Sequence, residues 1–205
     1  MTEGSGMQRS VLMVIGAALA GILAIWFLAF ARPYTFRGSQ IEPPVPAAPI
    51  ELKRADGSVY RLSESIGKVT LVFFGYTTCP DFCPATLADM KRIKIELGEA
   101  ASKVNFIFIT VDPQRDTPER TQSYASGFDP QFIGLSGSEA DLEPVWKGYW
   151  VYREIQHGQS AVGYLVDHST RIYLIDPAGD LRLTFAYGTS PVDIAADVRY
   201  VLKER

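Results

Sequence analysis

A layered α/β domain preceded by one membrane-spanning helix is the fold class the sequence predicts. Three observations predict it. Residues 11–30 are uniformly apolar, strand and helix signals alternate from about residue 46 onward, and the chain's only two cysteines stand four apart between a buried-strand pattern and a helix start. With 205 residues the chain is long enough to bury one proper core. Its 47% hydrophobic and 21% charged content is that of a globular protein, which sets wholesale disorder aside. The net charge of −3 lacks the basic excess that nucleic-acid binding requires. Two cysteines are also too few for a disulfide scaffold.

Val11–Phe30 holds no charged and no strongly polar residue. Twenty such residues at about 1.5 Å rise cover about 30 Å, the hydrocarbon thickness of a bilayer. Trp26 near one end and Arg32 just beyond fit an interfacial anchor. The rival reading is a cleaved signal peptide, since Ala29-Phe30-Ala31 has the small-x-small form of a cleavage site. The apolar run exceeds an ordinary signal core, so a retained anchor over residues 11–31 is expected. Residues 1–10 are then a cytoplasmic tail and the rest lies on the exported side. Arg9 before the span against Arg32 and Arg37 after it leans the other way, a weak signal over so few charges. Residues 32–45 form a proline-rich linker without apolar periodicity, read as a semi-extended tether. No internal repeat and no long charge run interrupts the chain.

Residues 46–205 carry the domain. Ile50–Leu52 and Val59–Leu62 flank Asp56-Gly57, a hairpin turn signal. Val69–Tyr76 is a continuous β-branched and aromatic run, as a buried central strand requires. Pro84 opens a helix with Leu87, Met90, Ile93 and Leu97 at helical spacing. Val104–Val111 is a second buried strand. Thr117-Pro118 caps and opens a helix ending near Gly127, Phe132–Leu135 is a short strand, and Ser138 caps a helix over Glu139–Tyr149. Arg171–Asp176 and Leu181–Tyr187 form a hairpin, and Ser190-Pro191 opens a last helix to about Lys203. The order β-α-β-α-β-β-α is that of the thioredoxin fold, here with an added N-terminal β-hairpin.

Cys79 and Cys83 fall between the first buried strand and the helix it feeds, where α/β folds place their sites. Pro84 disfavours the α region for Cys83, which places Cys83 at the N-cap edge. A helix N-terminus favours negative charge, so a lowered thiol pKa is expected. Three readings compete: two packed cysteines or an inert disulfide, a redox dithiol, and a soft metal site. A redox pair would have one residue more than the usual C-x-x-C spacer. Two thiolates suit Cu(I), and an added imidazole suits Cu(II). The pair alone does not choose between redox chemistry and metal.

Of the two histidines, His168 stands just before the Arg171–Asp176 strand. In the thioredoxin arrangement that loop faces the cysteine loop, usually with a cis-proline, and here a histidine stands there instead. His157 reads as an exposed loop residue, and its eleven-residue distance from His168 does not match zinc-finger spacing. Asp167 reads first as a turn residue and second as an acceptor orienting His168. Asp112, Arg115 and Asp116 read first as loop-stabilising ion pairs and second as a docking surface.

Gly75–Pro84, Val111–Glu119 and Tyr164–Thr170 resemble the signature blocks of the Sco/SenC family, and Phe132–Gly137 and Ile172–Pro177 are similar to it as well. The resemblance covers residues 46–205. It implies a membrane-anchored, thioredoxin-like copper protein needed to assemble cytochrome c oxidase, with Cys79, Cys83 and His168 as copper ligands. The function it implies is a non-enzymatic metallochaperone delivering Cu(I) or Cu(II) to the dinuclear copper site of the oxidase. Its partners would be the copper-bearing oxidase subunit and an upstream donor, in the bacterial periplasm or the mitochondrial intermembrane space. The alternative is a thiol–disulfide oxidoreductase using Cys79 and Cys83 as its redox pair on exported proteins. A peroxiredoxin-like peroxidase is a third reading, weakened by the lack of an upstream proline.

Overall fold

The structure, a computed structural model, describes residues 4–30, 33–160 and 163–204. Residues 1–3 of the expected tail, Ala31 of the cleavage-like triplet, and Arg32 lie outside the described residues. The chain divides into two compact units, Met1–Thr35 and Phe36–Arg205. Among the described residues the first holds one helix, α1 (Gly4–Phe30). Its window Ser10–Phe27 has a mean hydropathy of 2.4, long and apolar enough to cross a membrane. Apolar side chains such as Leu12, Ile22 and Phe27 stand exposed along it. A helix apolar on every side gains stability only from an apolar surrounding.

The second unit is a three-layer α/β domain. β4 (Val69–Gly75), β5 (Val104–Thr110) and β6 (Ile133–Leu135) run parallel, and every residue of β4 is buried. β9 (Ile172–Ile175) lies antiparallel to β4, with β10 (Asp180–Phe185) beyond it. The sheet order is β1-β10-β9-β4-β5-β6, where β1 spans Ser39–Pro46. Successive residues of a strand face opposite sides, so Phe73 and Phe74 divide the core. Phe73 meets Phe108, whose ring packs on Tyr124 of α3 (Pro118–Phe128). Phe74 meets Tyr149, just beyond α4 (Glu139–Gly148). α2 (Phe82–Leu97) contacts both α3 and α5 (Pro191–Val201). The architecture is a thioredoxin-like fold with extra strands.

Local chemistry explains the helix starts. Thr117 caps α3 by accepting from the Arg120 N–H at 3.2 Å, with Pro118 at the first helical position. Ser138 and Asp141 form a reciprocal capping box on α4. The hairpin β2 (Glu51–Lys53) and β3 (Val59–Arg61) turns through Gly57 at φ 82°, a conformation that favours glycine.

Three expectations are corrected. The linker is partly strand, since Ser39–Pro46 pairs with β10. An edge strand is bonded on one side only, and its register shifts between Gln40 and Val45, where Pro43 and Pro44 lie. α2 begins at Phe82, so Cys83 lies inside its first turn rather than at the cap. Pro84 is tolerated there because first-turn N–H groups have no intrahelical acceptor to lose. The segment from His157 to His168, read as loop, lies instead on two paired strands, β7 (Arg153–Ser160) and β8 (Gly163–His168).

Gly134 on β6 lets the backbone of α3 pass close: a Cβ there would stand 2.4 Å from the Thr121 carbonyl oxygen. Gly134→Ala is expected to cost about 1–3 kcal/mol. Chemical denaturation of the full chain in detergent reads this as a lowered midpoint, and an unchanged midpoint would show that α3 yields.

Candidate metal centre

The site forms where β4 leaves the sheet. Tyr76 to Cys79 make a turn in which the Cys79 N–H donates to the Tyr76 carbonyl at 3.2 Å. α2 follows, and the Cys83 N–H in its first turn points at Cys79 Sγ, 3.4 Å away. Cys83 is fully buried and Cys79 is 9% exposed. Gly75 makes room for them: a Cβ there would stand 2.8 Å from both Cys83 Sγ and the Phe108 ring. Both cysteines are free thiols.

His168, the last residue of β8, supplies a third donor. Its Nδ1 lies 2.8 Å from the Ser169 carbonyl. A carbonyl only accepts, so Nδ1 carries a proton and Nε2 is the ring nitrogen turned toward the sulfurs. Nε2 is 3.5 Å from Cys83 Sγ, and the ring packs edge-on against Tyr76. The three donor atoms lie within 4.8 Å of one another. Donors held about 2.0–2.3 Å from one ion are at most about 4.6 Å apart, so little tightening would close the set on a metal. Cys79, Tyr152 and His168 line an open cleft of about 440 Å³, which leaves the site accessible.

The two thiols differ in charge. A hydrogen bond from Cys83 holds the Cys79 thiol down to about 3 against the opposing effect of burial, helped by a hydrogen bond with the His168 side chain and by the backbone N–H groups of Asp81 and Cys83. Burial pushes the Cys83 thiol far up, and the neighbouring Cys79 sulfur adds to this. Burial also pushes the Tyr76 phenol up to about 12, and its oxygen accepts the Val166 N–H at 3.3 Å. The two sulfurs therefore differ, Cys79 being held toward the thiolate and Cys83 toward the thiol, with His168 Nε2 beside them.

The loop after β5 braces both halves. Buried Asp112 pairs with Arg115 and accepts the Tyr164 hydroxyl at 2.7 Å. Arg115 reaches the Tyr164 carbonyl at 3.0 Å and stacks 3.6 Å over its ring. Arg153 of β7 donates to the Val111 carbonyl at 2.5 Å. These contacts dock the hairpin that carries His168. Buried Asp116 accepts the Thr77 N–H and hydroxyl at 2.9 and 2.6 Å, and the Thr110 hydroxyl at 2.8 Å. Asp112 and Arg115 are thus the expected ion pair, whereas Asp116, 3.9 Å from Arg120 Nε, is held by threonine groups, and the burial of both carboxylates removes them from a docking surface.

The structure brings Cys79, Cys83 and His168 together and keeps His157 apart, exposed on β7 with its ring 6.2 Å from Tyr164. Asp167 does not orient His168; it accepts from Gln156 across the hairpin at 3.0 Å, and Ser169 does the orienting through its backbone. Sequence reasoning gave no role to Gly75 or Ser169. A glycine inside a strand pattern signals close approach and could have marked Gly75, whereas a backbone carbonyl leaves no trace in the residue type.

Fold and site together define a thioredoxin-like domain with a two-sulfur, one-nitrogen donor set at the end of its central strand. The family model described as SCO1/SenC matches residues 40–203, and the chain belongs to that family. A SCO2-like protein of Rickettsia felis is 36% identical over 145 residues, 70% of this chain and 71% of that protein. The human mitochondrial protein SCO1 homolog is 30% identical over 185 residues, 89% of this chain and 62% of its own length. Among solved structures, Bradyrhizobium japonicum ScoI with copper bound is similar with a TM-score of 0.69 and 38% identity, over 77% of this chain and 99% of that one.

An ordinary cysteine alkylates about tenfold more slowly for each pH unit below about 8.5, because only the thiolate attacks. Cys79, held at about 3, is a thiolate throughout that range. Its alkylation in the reduced, metal-free chain is expected to stay nearly constant from about pH 8 to about pH 5, with Cys83 unlabelled. Peptide mapping after timed alkylation checks this. A tenfold fall per unit at Cys79 would show that the anion is not held.

Proposed function

We propose that the chain is a membrane-anchored copper chaperone that carries one copper ion on Cys79, Cys83 and His168 and delivers it to the copper-bearing subunit of cytochrome c oxidase. The observation that carries this reading is His168 Nε2 facing two sulfurs in an accessible cleft. Soft thiolates and an imidazole suit copper in both its oxidation states. The copper bound to the similar Bradyrhizobium ScoI supports the choice of metal. Two sulfurs hold Cu(I) without help, and Cu(II) recruits the imidazole to complete its coordination plane. Transfer is then ligand exchange: an acceptor thiolate entering the cleft replaces one protein sulfur at a time, and copper keeps its charge.

A dithiol oxidoreductase acting on exported cysteines is the second reading, favoured by the Cys79 thiolate, which is the attacking form. It has no use for the imidazole. Cys79→Ser and Cys83→Ser are expected to abolish tight binding of both copper states, since each leaves one thiolate. His168→Ala is expected to keep Cu(I) and to lose strong Cu(II) binding with a shift of the thiolate-to-copper absorption. Parallel titrations with Cu(I) and Cu(II), beside a disulfide-reduction assay, separate the readings. A His168→Ala variant that binds Cu(II) as the wild type does would exclude His168 as a ligand, and an unchanged reductase rate with no copper binding in the wild type would favour the oxidoreductase.

The anchor follows the same reading, with residues 11–31 in the membrane, the tail inside and the domain on the exported side. A reporter active only in the exported compartment, fused after the last residue, is expected to be active. Activity of a cytoplasmic reporter at that position would reverse the orientation.

A further inference from the structure

Each donor of the centre is held by something different. Cys83 is fixed by the first turn of α2 and by the space that Gly75 leaves, and His168 by the β7–β8 hairpin and the Ser169 carbonyl. Cys79 lies in neither strand nor helix. Its backbone N–H donates to Tyr76, which closes a turn but leaves the central peptide units of that turn free to reorient. Thr77 occupies the first central position of the turn, and Asp116 takes hold of it twice, through the backbone N–H and through the hydroxyl, while Arg120 Nε donates to that hydroxyl at 2.8 Å. Both bonds are made to a fully buried carboxylate, the strong kind of hydrogen bond. Asp116 is itself tied to the end of β5 through the Thr110 hydroxyl, and its own carbonyl accepts the Ser136 hydroxyl at 2.5 Å.

We infer that Asp116 is the positioning residue for Cys79: by clamping Thr77 it sets the Cys79 sulfur within bonding reach of Cys83 and of a shared metal ion. Asp116 touches neither sulfur's ligand position nor the cleft, and it acts through the turn. The inference rests on the copper-site reading only for its metal-bound consequences, because the distance between the two sulfurs is a property of the metal-free chain. Freed from the clamp, the Cys79 sulfur is held only by the Tyr76 turn bond and the Cys83 N–H, and the effective concentration of one sulfur at the other falls. Ser136 provides the contrast, since its hydroxyl bonds to the same residue without reaching Thr77.

The test is the equilibrium of the full chain in detergent with oxidised and reduced glutathione. Closing the Cys79–Cys83 bond reduces one glutathione disulfide to two glutathione thiols, and the constant measures the effective concentration of the pair. Asp116→Ala is expected to lower that constant about tenfold or more, and Thr77→Val to lower it a few-fold. Thr77→Ser, which keeps both donors, and Ser136→Ala, which loses stability alone, are expected to match the wild type. If Asp116→Ala does not fold, Thr77→Val decides against both Ser136→Ala and Arg120→Met, which removes the Arg120 bond to the Thr77 hydroxyl and is expected to match the wild type. A wild-type constant in Thr77→Val and Asp116→Ala, or an equal fall in Ser136→Ala, overturns the assignment. With Cu(II) added, the thiolate-to-copper band is expected to move in Asp116→Ala and Thr77→Val and to stay in Ser136→Ala. Absence of that band in the wild type would defeat the copper reading while the glutathione constants still judge Asp116.

Discussion

Two carboxylates without solvent exposure, Asp112 and Asp116, stand four residues apart at the end of β5, and the rest of the site depends on how they are satisfied. An unpaired buried charge costs several kcal/mol, so each must find donors. Asp112 finds Arg115 and the Tyr164 hydroxyl, which brings in the hairpin bearing His168. Asp116 finds Thr77, which brings in the turn bearing Cys79. The need to pair two buried anions thus draws together segments that are otherwise separated by most of the domain. The polar loop is the part of the interior where a mismatch is least tolerable, and it is spent on the site.

The inequality of the two thiols has a consequence for any metal that enters. Cys79 offers an anion already stabilised by the helix start and by Cys83, whereas Cys83 offers a buried proton. Binding at both sulfurs releases about one proton rather than two, and most of the pH dependence of binding belongs to Cys83. The Ser169 carbonyl holds the hydrogen on Nδ1, which leaves Nε2 as the nitrogen turned toward the sulfurs. A site built this way meets a cation with charge and lone pairs in place.

The thioredoxin-like architecture does not by itself distinguish redox exchange from metal carriage, since function resides in the site and not in the fold. What distinguishes this chain is the occupant of one position, the histidine at the end of β8 opposite the cysteine turn. The extra elements serve that position. The β7–β8 hairpin gives His168 a rigid base, docked through Arg115 and Arg153, and the apolar helix α1 stands in a separate unit ahead of the domain.

What could be read from the amino-acid order was what neighbouring residues decide among themselves. The apolar runs of β4 and β5, the Thr117 and Ser138 caps, the Gly57 turn, the membrane-length helix and the four-residue cysteine spacing are all written within a few residues of where they act. His168 was legible from its place ahead of β9 and from the resemblance of its surroundings to a known family. The tertiary structure decided the remainder. β1 became a strand because β10 offered an unpaired edge, which a proline-rich sequence does not announce. β7 is a mostly polar strand whose inward residues are recognised only by the loop they meet, through Arg153 and the Val111 carbonyl. Gly75 was needed because a sulfur eight residues later occupies the space a side chain would take, and Ser169 orients the imidazole with an atom that every residue possesses. Periodicity and capping are local interactions, whereas these depend on partners that come near only once the chain has folded.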